Sequence, residues 1–245
     1  MLYPIFNQRM KYKNIFLTGS TGVVGKPLLK KLINEGHNVY ALSRNKINDK
    51  FLISNNTEII RGDLFDDDIY SQLQKKSINA IFHVAGTNQK CQKDPSSMFR
   101  TNIEGTKQML ELGNKLNIEK FIYTSSATTL GEKKGSIGNE DSIHRGTFLS
   151  DYEESKYLAE EKAFSFNKEF EFVSINPSSV QGPGRISGTA KLLISTLNKK
   201  FPLLIKSSVS AVDIDDCTEG HYLGLIKGKD NDCLLYTSPS PRDVP

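Results

Sequence analysis

Thr18-Gly-Ser-Thr-Gly-Val-Val-Gly25 follows a short apolar run, Asn14–Thr18, and leads into an amphipathic stretch, Val23–Asn34. It therefore reads as the turn between a first strand and a first helix. Each glycine has its own use in such a turn. Gly19 permits the tight bend, Gly22 lets the backbone approach a pyrophosphate, and Gly25 lets helix pack closely on strand. The amides of Thr21, Val23 and Val24 and the positive end of the helix dipole then face the phosphates. The spacing is G-x-x-G-x-x-G rather than G-x-G-x-x-G, and glycine turns without ligands are common. The strand–turn–helix context is what makes this one a dinucleotide site.

Outward from that turn, β-branched or apolar runs alternate with amphipathic stretches, the pattern of βαβ units and a parallel sheet. Strands are expected at Asn14–Thr18, Asn38–Leu42, Glu58–Arg61, Ala80–Val84, Lys120–Thr124, Glu171–Ile175 and near Val209–Ile214. Helices are expected at Val23–Asn34, Asp67–Lys75, Ser96–Leu116, Ser150–Phe166, Gly188–Asn198 and Asp216–Ile226, with a polar loop from Gly131 to Gly146. Right-handed crossovers make a doubly wound, Rossmann-like α/β sheet the economical topology.

The 245 residues suffice for one large domain, and 37% apolar and 24% charged residues are ordinary for a soluble protein. Basic and acidic residues, 32 against 28, are spread along the chain with no basic block, which disfavours nucleic acid. No apolar run suits a membrane helix. Cys91, Cys217 and Cys233 form no C-x-x-C pair and the four histidines show no ligand spacing, so a reduced, cytoplasmic protein without metal is expected.

The second strand ends Ala41-Leu-Ser-Arg-Asn45. An acid there would bind a ribose 2′-hydroxyl and repel a 2′-phosphate; Ser43 and Arg44 instead favour the phosphate, hence NADP over NAD. Asp63, closing the third strand, is placed to accept from the adenine amino group.

Tyr152-Glu-Glu-Ser-Lys156 lies in an expected helix, so Tyr152 and Lys156 are i and i+4 on one face. A phenol is a poor acid–base group at neutral pH, and a neighbouring ammonium would favour its phenolate. Alone the pair is weak, since such pairs are usually solvated helix surface. Phe121-Ile-Tyr-Thr-Ser-Ser126 strengthens it by ending a buried strand in hydroxyls at the edge where such sheets bind ligands. Ser126 is placed there to hydrogen-bond a reacting oxygen, with a hydroxyl cap for the next turn as the alternative use of Ser125 or Thr128. Asn102, beside Gly105 in a helical stretch, can hold a water in a proton path or make a helix–helix hydrogen bond.

With these motifs assembled, the chain resembles the extended short-chain dehydrogenase/reductase (NAD-dependent epimerase/dehydratase) family, and within it the dihydroflavonol-reductase-like members. The motifs are the glycine turn, Gly62-Asp-Leu64, Phe82-His-Val-Ala-Gly86, Asn102 with Gly105-Thr106, Thr124-Ser-Ser126, Tyr152-x-x-x-Lys156, Asn176-Pro-x-x-Val180, Gly182-Pro-Gly184 and Val212-Asp-Ile-Asp-Asp216. The resemblance implies hydride transfer between a nicotinamide and a substrate carbon. It gives Tyr152 proton transfer, Lys156 the nicotinamide ribose and the tuning of Tyr152, Ser126 the substrate oxygen, and Asn102 the relay. It also places Leu64, Val84, Ala85, Gly86, Thr124, Pro177 and Val180 along the cofactor. Gln181 stands where a tyrosine often precedes Gly-Pro-Gly.

Residues 1–12 read as an extension and 13–232 as the NAD(P)-binding domain, with part of the substrate-binding segment from about 178. Residues 233–245 resemble a translated sequencing adapter rather than a strand or helix of this fold, so most of the small C-terminal substrate domain is expected to be missing. Three functions follow. An NADP-dependent carbonyl reductase comes first, then a nucleotide-sugar epimerase or dehydratase with tightly bound NAD, then a non-catalytic cofactor sensor or scaffold. The partners implied are a small carbonyl or sugar-nucleotide substrate and a second copy in a homodimer.

Overall fold

The structure is a computed structural model and describes residues 11–88, 93–183, 185–186, 188–200 and 209–237. In chain order the elements are β1 (Asn14–Thr18), α1 (Gly25–Asn34), β2 (Asn38–Ser43), α2 (Asp49–Ser54), β3 (Glu58–Arg61) and α3 (Asp68–Leu73). Then come β4 (Ala80–His83), α4 (Ser96–Phe99), α5 (Gly105–Leu116), β5 (Lys120–Thr124), α6 (Asp151–Ser165) and β6 (Glu171–Pro177). The last are β7 (Ser179–Gln181), α7 (Thr189–Leu197), β8 (Ala211–Asp213), α8 (Ile214–Lys227) and β9 (Asp232–Tyr236). Seven strands form one parallel sheet in the order β3-β2-β1-β4-β5-β6-β9, and β7 pairs with β8 apart from it.

Successive strand residues bury opposite faces, which is why these strands are apolar throughout. Phe16, Leu42, Ile60, Ile81, Phe121, Tyr123 and Phe172 pack with Leu73, Met109, Leu110, Ala159 and Ala163 of α3, α5 and α6. Ile15, Leu17, Val39, Ala41, Phe82, Ile122 and Val173 pack with Leu28, Leu29 and Leu32 of α1 and Leu225 of α8. This is the doubly wound Rossmann-like fold, with helices on both faces. Its strands all end on one edge, the edge occupied by the glycine turn and the hydroxyls after β5. Among the described residues no helix is long and apolar enough to cross a membrane.

Two expectations are corrected, and two short elements were not anticipated. Ser96–Leu116 is not one helix, because a π-helical turn at Arg100–Glu104 separates α4 from α5. Short α2 and β7 escape periodicity, having too few residues to show one. Residues 233–245 do not lie wholly outside the fold: Cys233–Tyr236 continue β9, which pairs in parallel with Val173–Pro177. The remainder of that tail, the extension before Lys11, Cys91 and Gly184 lie outside the described residues. The strand forms because Cys-Leu-Leu-Tyr is an apolar extended run beside the open edge of β6. Leu234 and Tyr236 meet the core, and the Tyr236 ring rests on Gly220, whose missing Cβ would fall 2.2 Å from it. A chain ending at Asn231 is therefore expected to be less stable by about 3 kcal/mol in urea denaturation. One ending at Thr237 should match the full chain; equal stability of the two would show that β9 contributes nothing.

Candidate active site

The glycine turn is shaped by backbone contacts that side chains would destroy. Gly19 has φ +70°, and a Cβ there would stand 2.6 Å from the Ala85 amide nitrogen, so β1 and β4 end almost touching. A Cβ on Gly25 would stand 2.0 Å from the Gly19 carbonyl oxygen, so α1 starts directly on the turn. The Gly22 amide donates to Gly19 O at 2.9 Å and closes the loop. Helix α1 has neither a capping side chain nor an acid in its first turn. The Lys26 amide donates to Gly22 O at 3.1 Å and Pro27 has no N–H. The amides left with no backbone acceptor at this start, among the described residues, are those of Val23, Val24 and Gly25, beside three glycines, a cradle that fits a pyrophosphate. Thr21, Val23 and Val24 lie on this rim.

At the ends of β2 and β3 the structure separates Ser43 from Arg44. Ser43 is buried; its hydroxyl donates to Asn45 O at 3.0 Å and accepts from Arg61, which itself grips Asp49 with two 2.8 Å bonds. The expected Ser43–phosphate contact is corrected accordingly, since that hydroxyl is already spent on its own turn. Arg44 is 77% exposed and forms a loose ion pair with Asp63 at 3.7 Å, so its guanidinium keeps most of its face to solvent. Leu64 packs against Gly105, where a Cβ would come within 2.9 Å, fixing the Asp63 turn on α5.

Helix α6 carries Tyr152 and Lys156 and is fixed at its start. Ser150 caps it, its hydroxyl accepting from the Glu153 amide at 3.2 Å, while Glu153 accepts from the Leu149 amide and from Arg145. These bonds, a capping box shifted by one residue at its return arm, orient the first turn, where Tyr152 sits. Burial raises the Tyr152 phenol above the ordinary range, while the Ser126 hydroxyl and the Arg185 guanidinium pull it back. Ser126 also caps its own turn, accepting from the Thr128 amide at 3.3 Å, so the capping alternative falls on Ser126 itself.

Lys156 is turned elsewhere than the tuning of Tyr152 requires. Its Nζ donates to Tyr123 Oη and Thr124 O, each at 2.7 Å, and burial lowers its ammonium to about 7. Sharing a helical face does not fix where the two tips end: Lys156 Nζ is held by Tyr123 and Thr124, and the cation that lowers the Tyr152 phenol, against burial, is the Arg185 guanidinium. A chain of contacts nevertheless links Lys156 to the glycine turn. Tyr123 stacks on His83 at 6.0 Å, and His83 Nδ1 meets Thr18 Oγ1 at 2.8 Å. Burial lowers His83 to about 3, so it stays neutral.

Asn102 spends its amide on structure. It accepts from the Thr87 amide, and donates to Thr87 O and to Ser155 Oγ at 3.0 and 2.9 Å. It therefore ties the Ala85–Gly86 strand end to α6, the helix–helix alternative. Thr124 Oγ1 lies 2.9 Å from His221 Nε2, away from the open edge, so only its carbonyl serves the site. Pro177 ends β6, and the preceding Asn176 joins Thr129 and Glu160. Val180 is core, buried with Val212, Ile214 and Cys217, with Val24 packed on them; Val84 packs on the β1 core. Arg185 and Tyr123 are the residues that sequence reasoning missed. Arg185 had a signal, a lone charge just after Gly-Pro-Gly at the ligand edge of the sheet. Two concavities of about 660 and 680 Å3 lie elsewhere, one beside α6 and β9 and one at the β2–β3 edge; both lack these residues and the glycine turn.

A doubly wound sheet carrying a phosphate cradle and a Ser–Tyr pair on one edge defines a short-chain dehydrogenase/reductase fold. Residues 15–232 match the NAD dependent epimerase/dehydratase family, and the chain belongs to it. Over 219 residues it is 31% identical to the "Putative dihydroflavonol 4-reductase" of Synechocystis sp., covering 87% of this chain and 63% of that protein. The chain thus spans under two thirds of that relative. The crystal structure of gox2253 superposes with a TM-score of 0.82 at 27% identity, over 93% of this chain and 70% of the other. The UDP-glucuronic acid 4-epimerase of Bacillus cereus in complex with NAD gives 0.78 at 24% identity, over 93% and 79%, a likeness of fold.

Proposed function

We propose that this chain is the cofactor-binding and proton-transfer part of an NADP-dependent carbonyl reductase. The observation that carries the reading is Lys156, one turn after Tyr152 on α6, donating to Thr124 O at the end of β5, two residues before Ser126 and on the sheet edge that carries the glycine turn. Bound there, NADPH would supply the hydride. Burial keeps Tyr152 protonated at rest, which suits it to donate its proton to a carbonyl oxygen. Ser126 would donate a hydrogen bond to that oxygen, and the third Lys156 donor is left for the nicotinamide ribose. Asn102 positions α6 against the cradle rather than moving protons. The reductase named among the relatives supports the choice over an epimerase.

NADPH oxidation with simple aldehydes and ketones tests the reading. Steady oxidation is expected; product formed with no net cofactor turnover would instead indicate an epimerase or dehydratase with bound NAD, and binding without turnover a sensor. Arg44→Glu is expected to weaken NADPH by roughly 10-fold or more, the loss of a charged contact, and NADH little. Equal losses for both in fluorescence titrations would contradict the NADP preference.

A further inference from the structure

Two side chains of α6, one helical turn apart, hold the two ends of Thr124-Ser-Ser126. At the first end Lys156 Nζ donates to Thr124 O at 2.7 Å. At the second stands Glu160, a buried acid whose hydrogen-bond partners are neutral side chains. Asn176 Nδ2 donates to Glu160 Oε1 at 2.7 Å and to Thr129 Oγ1 at 2.9 Å, with a longer approach to Ser126 O at 3.5 Å. Thr129 Oγ1 in turn donates to Ser126 O at 2.9 Å. The single hydroxyl proton of Ser174 goes to Glu160 Oε1 at 2.6 Å or to Asn176 Oδ1 at 2.8 Å and completes the group. All four residues are buried, so removing one partner leaves the next without a match.

These bonds end on the turn Ala127–Leu130, which Ser126 caps. Ser126 Oγ accepts from the Thr128 amide at 3.3 Å and from Thr128 Oγ1 at 3.0 Å. Both lone pairs of that oxygen are then taken, and its proton is the part left to give. The turn sets where that proton points. Thr129, Asn176 and Glu160 fasten the turn to β6 and α6.

We propose that Glu160 is a positioning residue: acting through Asn176 and Thr129, it fixes the turn that aims the Ser126 hydroxyl at the reacting oxygen. The role rests on the reductase reading above. It gives the acid one helical turn beyond Lys156 a part in the reaction without contact with substrate or cofactor.

The test measures kcat and KM for NADPH-dependent carbonyl reduction in Thr129→Val, Thr129→Ser and Glu160→Met, each with and without Ser126→Ala. Thr129→Val keeps the branched shape and removes the hydroxyl link. It is expected to lower kcat roughly 10-fold with KM for NADPH unmoved, and Thr129→Ser to restore most of the loss. Glu160→Met, similar in length and without an acceptor, should behave as Thr129→Val does. In the Ser126→Ala background both should cost less than roughly 2-fold, because the group they aim is gone. Wild-type kcat in Thr129→Val, or an undiminished loss in the Ser126→Ala background, overturns the proposal. Amide hydrogen exchange reads the same turn without catalysis. In Glu160→Met and Thr129→Val the amides at positions 129 and 131, bonded to Ser126 O and Thr128 O, should exchange roughly 10-fold faster or more. The Ser125 amide, bonded to Ile175 O at 2.7 Å, should keep its wild-type rate. Unchanged rates at 129 and 131, or equal acceleration at all three amides, overturn the proposal. Thr129→Val carries both measurements where Glu160→Met does not fold. Absence of turnover with every carbonyl would defeat the reductase reading alone, since the exchange result stands apart from catalysis.

Discussion

Tyr152→Phe is expected to lower kcat for carbonyl reduction by roughly 10^2- to 10^4-fold, the range general acid catalysis supplies. The substitution removes one oxygen. In the resting site burial raises that phenol above its ordinary range, and Ser126 keeps its bonds to Thr128 without it. Nothing in the phosphate cradle changes, so NADPH affinity and Tm should stay at wild-type values. Stopped-flow hydride transfer and a cofactor titration on one preparation separate the two quantities. Turnover close to wild type would remove Tyr152 from the chemistry.

Gly25→Ala should act on binding and folding together. Its Cβ would lie 2.0 Å from Gly19 O, 2.7 Å from Gly19 C and 2.9 Å from Ser20 Cα, all within the turn itself. No flexible side chain is available to yield, so α1 must retreat from the turn and carry its amides away. A loss of about 1–3 kcal/mol in stability is expected from the overpacking, together with weakened NADPH binding. Gly22→Ala gives the contrast, because its nearest neighbour is Gly19 O at 3.2 Å. The fold can absorb that methyl group, but a pyrophosphate then meets it. Gly22→Ala should therefore lose cofactor with little change in Tm. Full cofactor affinity in both variants, read by calorimetry, would place the phosphates elsewhere.

The parts of this molecule legible in sequence are those with local causes. β1, β3 and β5 fall on the expected residues because a strand buried on both faces must be apolar throughout. The glycine turn was legible because each glycine answers a close approach visible in its spacing. Arg185 was marked only as a lone charge after Gly-Pro-Gly, and its effect on the Tyr152 phenol joins a loop after β7 to the first turn of α6, which no period links. The turn of Lys156 toward Tyr123 and Thr124 was hidden for a related reason: helical spacing predicts a shared face but not where a long side chain ends. The π-helical turn holding Asn102 has no compositional mark, since it answers tertiary bonds to Thr87 and Ser155. β9 was hidden by the odd character of the residues after it, although Cys-Leu-Leu-Tyr has the apolar run of an edge strand.

A crystal structure of this chain with NADP bound tests the central claim most directly. The account predicts the pyrophosphate on the amides around Gly22, the 2′-phosphate beside Arg44, and the nicotinamide facing a gap bounded by Tyr152 Oη and Ser126 Oγ. A nicotinamide found away from those two hydroxyls, or a pyrophosphate bound off the glycine turn, would contradict it.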